Sequence, residues 1–383
     1  MKIPFGKPII DNSEKKLVNR VLNSNVLTHG KYSTLFEKNF KKYTGINNCT
    51  ATSSCTAALH IAYLLIGIKK NDEVIVPCQT HVATAHSIEI AGGKPIFVDS
   101  DDNLTGNIDI NKIEKKISKK TKAICVVHFL GRPVDMAKVL LLAKKYKLFV
   151  VEDCALALGA KYKNKHVGTF GDFSAFSFYP AKHITTADGG MLGVKNNKIY
   201  NKAKLIKAFG VDKKFQERKV PGEYDVKYLG INYRLDEIRS AIGLMQLKKL
   251  PLILKQRRKN FHSLHDYLKQ INGIKIVKTE SSPGFISSYY CLSLILEKNL
   301  KNKRKHIILS LNKMGIGTSI YYPRIIPEFT YYKNRYKLKT DEFKNGKLIS
   351  NNSICLPVAP HINKKNIIYI SNSLKKIIKD NLR

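Results

Sequence analysis

Between about Asn48 and Val194, short, continuously apolar runs rich in β-branched residues alternate with helical ones. No other feature constrains the fold as strongly. The strand runs are Glu73–Pro77, Pro95–Asp99, Lys122–Val127, Leu148–Glu152, Asp172–Phe178 and Gly190–Val194. Helical runs at Thr84–Ala91, closed by Gly92-Gly93, and Met136–Tyr146 separate some of them. A strand that is apolar throughout, instead of at alternate positions, is buried on both faces. With helices as crossovers, this predicts a mostly parallel sheet covered on both sides. Ligands of such sheets bind at the carboxyl ends of the strands. Asp153 and Lys182 both fall at or just past such ends.

Later in the chain the pattern changes. A long helix is expected from Leu235 to about Ile271, with Pro251 as its one interruption. Beyond it a strand is expected over Ser287–Leu296, a helix over Lys303–Met314 capped by Gly315, a strand over Ile316–Tyr322 and a final helix over Lys364–Lys379. This reads as a large α/β domain over 1–250 and a smaller α+β domain over 251–383.

The chain has 383 residues and is 43% hydrophobic, enough for a large core. Its net charge of +38 invites a nucleic-acid reading. The excess is mostly lysine, scattered over helix faces such as Asp109–Lys122, where Ile110, Ile113 and Ile117 mark the buried side. Arginine-rich arms and interleaved aromatics are lacking, so neither a nucleic-acid partner nor membrane insertion is expected. A positive field still suits an anionic substrate. Seven cysteines without a CxxC pair read as free thiols, and no metal site is expected. With no signal-like leader and no apolar run near ~20 residues, a cytoplasmic location is expected.

Three local features carry chemistry. Thr52-Ser53-Ser54-Cys55-Thr56-Ala57 opens an apolar helix with small and hydroxyl residues, which suits a phosphate and equally suits an ordinary N-cap. Asp153 ends an apolar strand, where a carboxylate is costly unless it is paired or caps a turn. Lys182 follows the aromatic run Phe176-Ser177-Phe178-Tyr179. It either snorkels to water or stands in an apolar pocket that favours its free amine, a group that forms Schiff bases. Phosphate cup, anionic partner for a pyridinium and Schiff-base lysine are the protein parts that pyridoxal phosphate needs.

With these residues in this order, the sequence resembles the DegT/DnrJ/EryC1/StrS (sugar) aminotransferases of the aspartate-aminotransferase fold, fold type I. The resemblance begins at Val26–Lys31 with Phe36-Glu37. It runs through SSCTAAL, VVEDCALALGA, FSFYPAKHITTADGGM and Leu229–Ile242, and fades toward Ile320-Tyr321-Tyr322-Pro323. It implies pyridoxal 5'-phosphate as cofactor, with Lys182 as Schiff-base lysine and proton shuttle and Asp153 on the pyridine nitrogen. Thr56 and Ala57, after Cys55, would hold the phosphate together with Ser177. Asn232 would reach the phosphate of a neighbouring subunit, which implies a homodimer with shared active sites. Arg234 would bind an acidic substrate group or form a structural ion pair. His183 would touch substrate or pack, and Tyr321 and Tyr322 match a substrate-side motif. The sequence departs from the family pattern in three places. Cys55 replaces a frequent glycine, His81 stands where a Phe or Trp stacks on the cofactor, and Leu156 replaces a polar residue near its ring oxygen. His81 could replace the polar contact that Leu156 cannot make.

The implied reaction is amino transfer, with L-glutamate as donor, to a keto group of a nucleotide-activated sugar in glycan biosynthesis. Rival readings are a transaminase of a cyclitol-like ketone, a dehydratase using the amine form of the cofactor, and a non-catalytic regulator on the same fold. The dehydratase branch carries histidine in place of the lysine, so Lys182 favours transfer.

Overall fold

The computed structural model describes residues 1–213, 218–280 and 283–382. Helices α1 (Asn12–Leu22) and α2 (Lys31–Thr44) lead into β1 (Asn48–Thr52), α3 (Cys55–Ile66), β2 (Glu73–Pro77), α4 (Val82–Ile90) and β3 (Lys94–Val98). A single turn, α5 (Ile110–Ile113), precedes β4 (Thr121–Val127), α6 (Met136–Tyr146) and β5 (Phe149–Asp153). The short β6 (Lys161–Tyr162) and β7 (Lys165–His166) come before β8 (Phe173–Ser177), β9 (Gly190–Val194) and α7 (Asn197–Ile206). The remainder comprises α8 (Glu237–Leu268), β10 (Ile274–Ile276), β11 (Phe285–Ile286), β12 (Leu292–Leu296), α9 (Arg304–Lys313), α10 (Thr330–Tyr336), α11 (Lys344–Asn352), β13 (Ser353–Leu356) and α12 (Lys364–Leu382).

Seven strands form one sheet in the order β1-β9-β8-β5-β4-β2-β3. Its neighbours from β8 to β3 pair in parallel, and β9 runs antiparallel to both β1 and β8. The interior strands are buried at nearly every residue, as their unbroken apolar runs require. A second, antiparallel sheet, β10-β12-β13, has its own core of Leu292, Leu294, Leu296, Ile307, Leu311 and Leu374. Helix α8 serves both cores. Leu244, Leu247 and Leu250 pack with Phe36, Phe40 and Phe176, and Phe261, Leu264 and Leu268 pack on the second sheet. The first residues of the chain also lie there, with Ile3 bridged to Ile316.

Four expected elements differ. The helix over Asp109–Lys122 stops early. Asp109 caps it by accepting from Asn111 N, only Ile113 is fully buried, and Ser118 and Thr121 close a turn before β4. Pro251 does not interrupt α8. It lies on the exposed side, where the carbonyl it leaves without a donor can face water. Ser287–Cys291 is not strand, because Ser288 N donates to Gly131 O and Tyr289 has a φ of 50°. Ile316–Tyr322 makes only isolated bridges, Ile316 to Ile3 and Ser319 to Cys355. An apolar, β-branched run marks a segment able to pair, but the partner strand decides whether a ladder forms.

Candidate active site

Strand β5 delivers Asp153 to its carboxyl end, buried. Asp153 Oδ2 accepts from Thr84 Oγ1 of α4 at 2.8 Å, and Oδ1 accepts from Ala155 N at 3.0 Å. These bonds fix the carboxylate and leave it lone pairs for a further donor.

Lys182 lies in the loop joining β8 to β9. That loop folds back on itself. Lys182 N donates to Tyr179 O, Thr185 Oγ1 and Thr186 N both donate to Phe178 O, and Phe178 N donates to Gly189 O. The lysine side chain is half-buried, with Nζ 5.7 Å from the Tyr290 ring centroid. Burial pushes its pKa below the ordinary lysine value, while the neighbouring Cys55 and the Asp153 carboxylate oppose that shift. No ion pair to Lys182 forms among the described residues. Its amine is available instead of locked to a carboxylate.

The N-terminus of α3 closes the third side. Ser54 caps it, its Oγ accepting from Ala57 N at 3.0 Å. That engages the Ala57 N–H and leaves those of Cys55 and Thr56 at the open end of the helix. Gly190 makes the approach possible, since a Cβ there would sit 2.4 Å from the Ser54 carbonyl carbon. Gly189 has a φ of 157°, and its Cβ would meet Thr186 Oγ1 at 2.3 Å. The glycine pair is therefore what lets the lysine loop and the α3 turn share this space. A helix terminus with free N–H groups, a buried carboxylate and a half-buried amine with lowered pKa form a donor set that fits pyridoxal 5'-phosphate.

Around this centre the structure brings several expected residues together. His81 is exposed and is the N-cap of α4, with Nδ1 accepting from Ala83 N at 3.1 Å. That bond assigns the ring proton to Nε2 and makes His81 a neutral donor. Although the residue reaches solvent, the protein packed against one side of its ring partly desolvates it, and this and the Lys182 charge both push its pKa down. Its ring meets Tyr322 edge-on at 5.5 Å, and Tyr322 meets Phe129 at 6.1 Å. Leu156 is buried with Phe129, Tyr290 and the Tyr321–Tyr322 pair. Tyr321 shares a 2.8 Å hydrogen bond with Tyr290 through their hydroxyls, and its carbonyl accepts from Gln79 Nε2 at 3.0 Å. Ser177 ends β8, half-buried, its Oγ accepting from Tyr179 N at 3.4 Å.

Other expected residues stand apart. His183 is buried, with Nε2 bonded to Ser288 O at 3.0 Å and its ring 5.6 Å from Tyr290, so it packs. Arg234 pairs its backbone with Thr52 and holds its guanidinium 5.1 Å from the Phe209 ring, with no ion pair among the described residues. Asn232 is exposed on the surface. Sequence reasoning missed Thr84 and Tyr290. Thr84 follows Thr80 by one helical turn and bonds it at 2.8 Å, a spacing visible in the sequence. Tyr290 left no signal, because the segment around it reads as strand.

One buried trio could suggest a metal, His128, Glu152 and Cys154. Glu152 already accepts from Gly168, Phe170 and Gly171 N and pairs with His128 Nε2, while His128 Nδ1 accepts from Val134 N. The carboxylate and imidazole are saturated by protein donors, so the trio is structural. All seven cysteines are buried free thiols.

The chain matches the DegT/DnrJ/EryC1/StrS aminotransferase family over residues 8–375. It is 36% identical over 383 residues to the GDP-perosamine synthase of Escherichia coli O157:H7, covering 99% of each chain. Among solved structures it is similar to Helicobacter pylori PseC, an aminotransferase involved in the biosynthesis of pseudoaminic acid. The identity is 31% and the TM-score 0.93, over 99% of this chain and 100% of that one. It is also similar to Spr1654 of Streptococcus pneumoniae in its PLP form, at 26% identity and a TM-score of 0.93 over 100% of both chains. From strand order to the lysine loop, sequence and structure lead to one conclusion: this chain belongs to the DegT/DnrJ/EryC1/StrS aminotransferases, enzymes that work with pyridoxal 5'-phosphate.

Proposed function

We propose that this protein transfers an amino group from L-glutamate to the keto group of a nucleotide-activated sugar, as a cytoplasmic homodimer with shared active sites. The observation that carries the reading is the Lys182 amine, half-buried at the mouth of the sheet beside Asp153, with its pKa lowered by burial. The likeness to a GDP-perosamine synthase supports a sugar nucleotide as acceptor, and the positive net charge suits its diphosphate.

Bound pyridoxal 5'-phosphate supplies an electron sink and stores the amino group between half-reactions. Lys182 Nζ would hold the cofactor at rest and, once the donor's amino group has displaced it, would act as a free amine that takes the donor's α-proton in one half-reaction and delivers a proton to the acceptor carbon in the other. Asp153 keeps a proton on the ring nitrogen. The free N–H groups of Cys55 and Thr56, the Thr56 hydroxyl and Ser177 Oγ bind the phosphate, joined by Asn232 of a second copy. His81 would help hold the cofactor and could donate its Nε2–H to it. Tyr321 and Tyr322 border the acceptor. We also propose a division near residue 250 into a large cofactor-binding domain and a small C-terminal one, with α8 crossing the boundary.

The test is the absorbance spectrum of the purified protein with added cofactor, before and after L-glutamate, beside a Lys182→Ala control. A yellow band that bleaches with glutamate and is altered in the control establishes the first half-reaction. GDP- and UDP-linked keto sugars are then screened for return of the band. A protein that stays colourless sinks the reading.

A further inference from the structure

Within the scattered lysine excess, two helical stretches are dense in lysine and carry no proposed site residue. Residues 297–313 and 364–382 contain only two carboxylate side chains, Glu297 and Asp380. Helices α9 and α12 lie side by side here. Their apolar stripes, with Ile307, Leu311, Ile370, Leu374 and Ile378, are spent on the second core. Their outer faces present Lys305, Lys313, Lys375, Lys376 and Lys379, and Lys301 lies in the 3-10 turn that leads into α9, all six exposed. None of the six forms an ion pair among the described residues. Lys375, Lys376 and Lys379, with Asn372 and one carboxylate, Asp380, border a surface depression of about 360 Å³.

We propose that this face docks the enzyme peripherally on an anionic phospholipid surface. Two packed helices offer a broad face to a planar layer of headgroups, and lysines act on phosphates as point charges. Nucleic acid fits less well. Arg304 is turned inward, donating to Ser350 O, and Tyr369 is half-buried with its hydroxyl on Met314 O. Among the described residues the face therefore presents no guanidinium fork for base edges, and its exposed ring is the single imidazole of His306. Among the described residues no helix is long and apolar enough to cross a membrane. With the apolar stripes of both helices already buried, attraction is electrostatic and salt weakens it. Each lysine at such a surface strengthens binding about fivefold.

The test is co-sedimentation of the full-length, cofactor-loaded protein with phosphatidylcholine vesicles, with or without about a third phosphatidylglycerol, at about 0.05 M and about 0.5 M salt. The protein is expected to pellet with the anionic vesicles at low salt and to be released at high salt. Reversing Lys301, Lys305, Lys375 and Lys376 to Glu together should weaken binding at least about a hundredfold. A control reversing Lys115, Lys119, Lys120 and Lys144, exposed lysines elsewhere on the surface, should weaken it by less than about a tenth as much. Thermal melting and the cofactor band report that both variants are folded. No pelleting of the wild type, equal loss in the two variants, or tighter binding to duplex DNA than to the anionic vesicles at the same salt would each overturn the proposal.

Discussion

Lys182 carries an ammonium into surroundings that disfavour charge, and Asp153 pulls the other way. The sign of each effect gives a prediction. Burial lowers the pKa, so the free amine becomes the major form at lower pH than for an exposed lysine. The rate at which apoprotein captures pyridoxal, followed by absorbance, should reach its plateau below the ordinary lysine range. Removing the opposing negative charge with Asp153→Asn should move the midpoint lower still. A midpoint that rises in this variant would contradict the electrostatic coupling. His81 makes a second case at this scale. Its Nδ1 is committed to Ala83 N–H, and partial desolvation and Lys182 both lower its pKa. Nitrogen-15 NMR should find the Nε2–H tautomer, with the ring still neutral at a pH where an unperturbed histidine is already protonated. If His81 supplies the polar contact that Leu156 cannot, His81→Phe should weaken cofactor binding about tenfold. It should also cost about 1 kcal/mol of stability through the lost cap. His81→Asn should recover the stability, because asparagine caps well, and leave the two effects separable. Unchanged cofactor affinity in His81→Phe would remove His81 from the site.

Among the elements, the contact between β9 and the first turn of α3 matters most to the site. A methyl at Gly190 would press on the Ser54 backbone, which has no flexible end to swing aside. Gly190→Ala should cost about 2 kcal/mol by thermal unfolding of the apoprotein and weaken cofactor binding by more than His81→Phe does, because the displaced turn carries the free N–H groups. A variant with wild-type affinity would mean that α3 does not hold the phosphate. The same elements show what a sequence can reveal. The bounds of β2, α6 and β9 were legible because proline, glycine or charged residues punctuate continuous apolar runs. Lys182 and Asp153 were legible because each follows such a run. Ser287–Cys291 and Ile316–Tyr322 misled because they have strand composition without an available ladder. Thr84 meets Asp153 from 69 positions away, and Tyr290 meets Lys182 from the irregular segment ahead of β12. Such pairings exist only once the chain has folded.

For the molecule as a whole, one stretch is more apolar than an isolated chain should present. Phe209, Val220, Tyr224, Val226 and Tyr228 are exposed, Leu229 is 95% exposed, and Asn232 follows a few residues on. A patch of this kind beside an exposed asparagine is what a second copy would cover. The proposed homodimer then has a consequence that catalysis can read. Each active site would take Lys182 from one copy and Asn232 from the other. Lys182→Ala protein should be inactive, and Asn232→Ala protein should bind cofactor about tenfold more weakly through the lost phosphate contact. When the two are mixed under subunit exchange at limiting cofactor, half of the subunit pairs formed at random are heterodimers. In each heterodimer one site combines an intact Lys182 with an intact Asn232, and the other site lacks both. Activity should therefore exceed the sum of the two parents. Adding Leu229→Asp to both chains should abolish the gain and yield monomers by sedimentation. A mixture no more active than its parents, under conditions where labelled subunits do exchange, would place Asn232 outside the neighbour's site and leave each chain with a complete centre of its own.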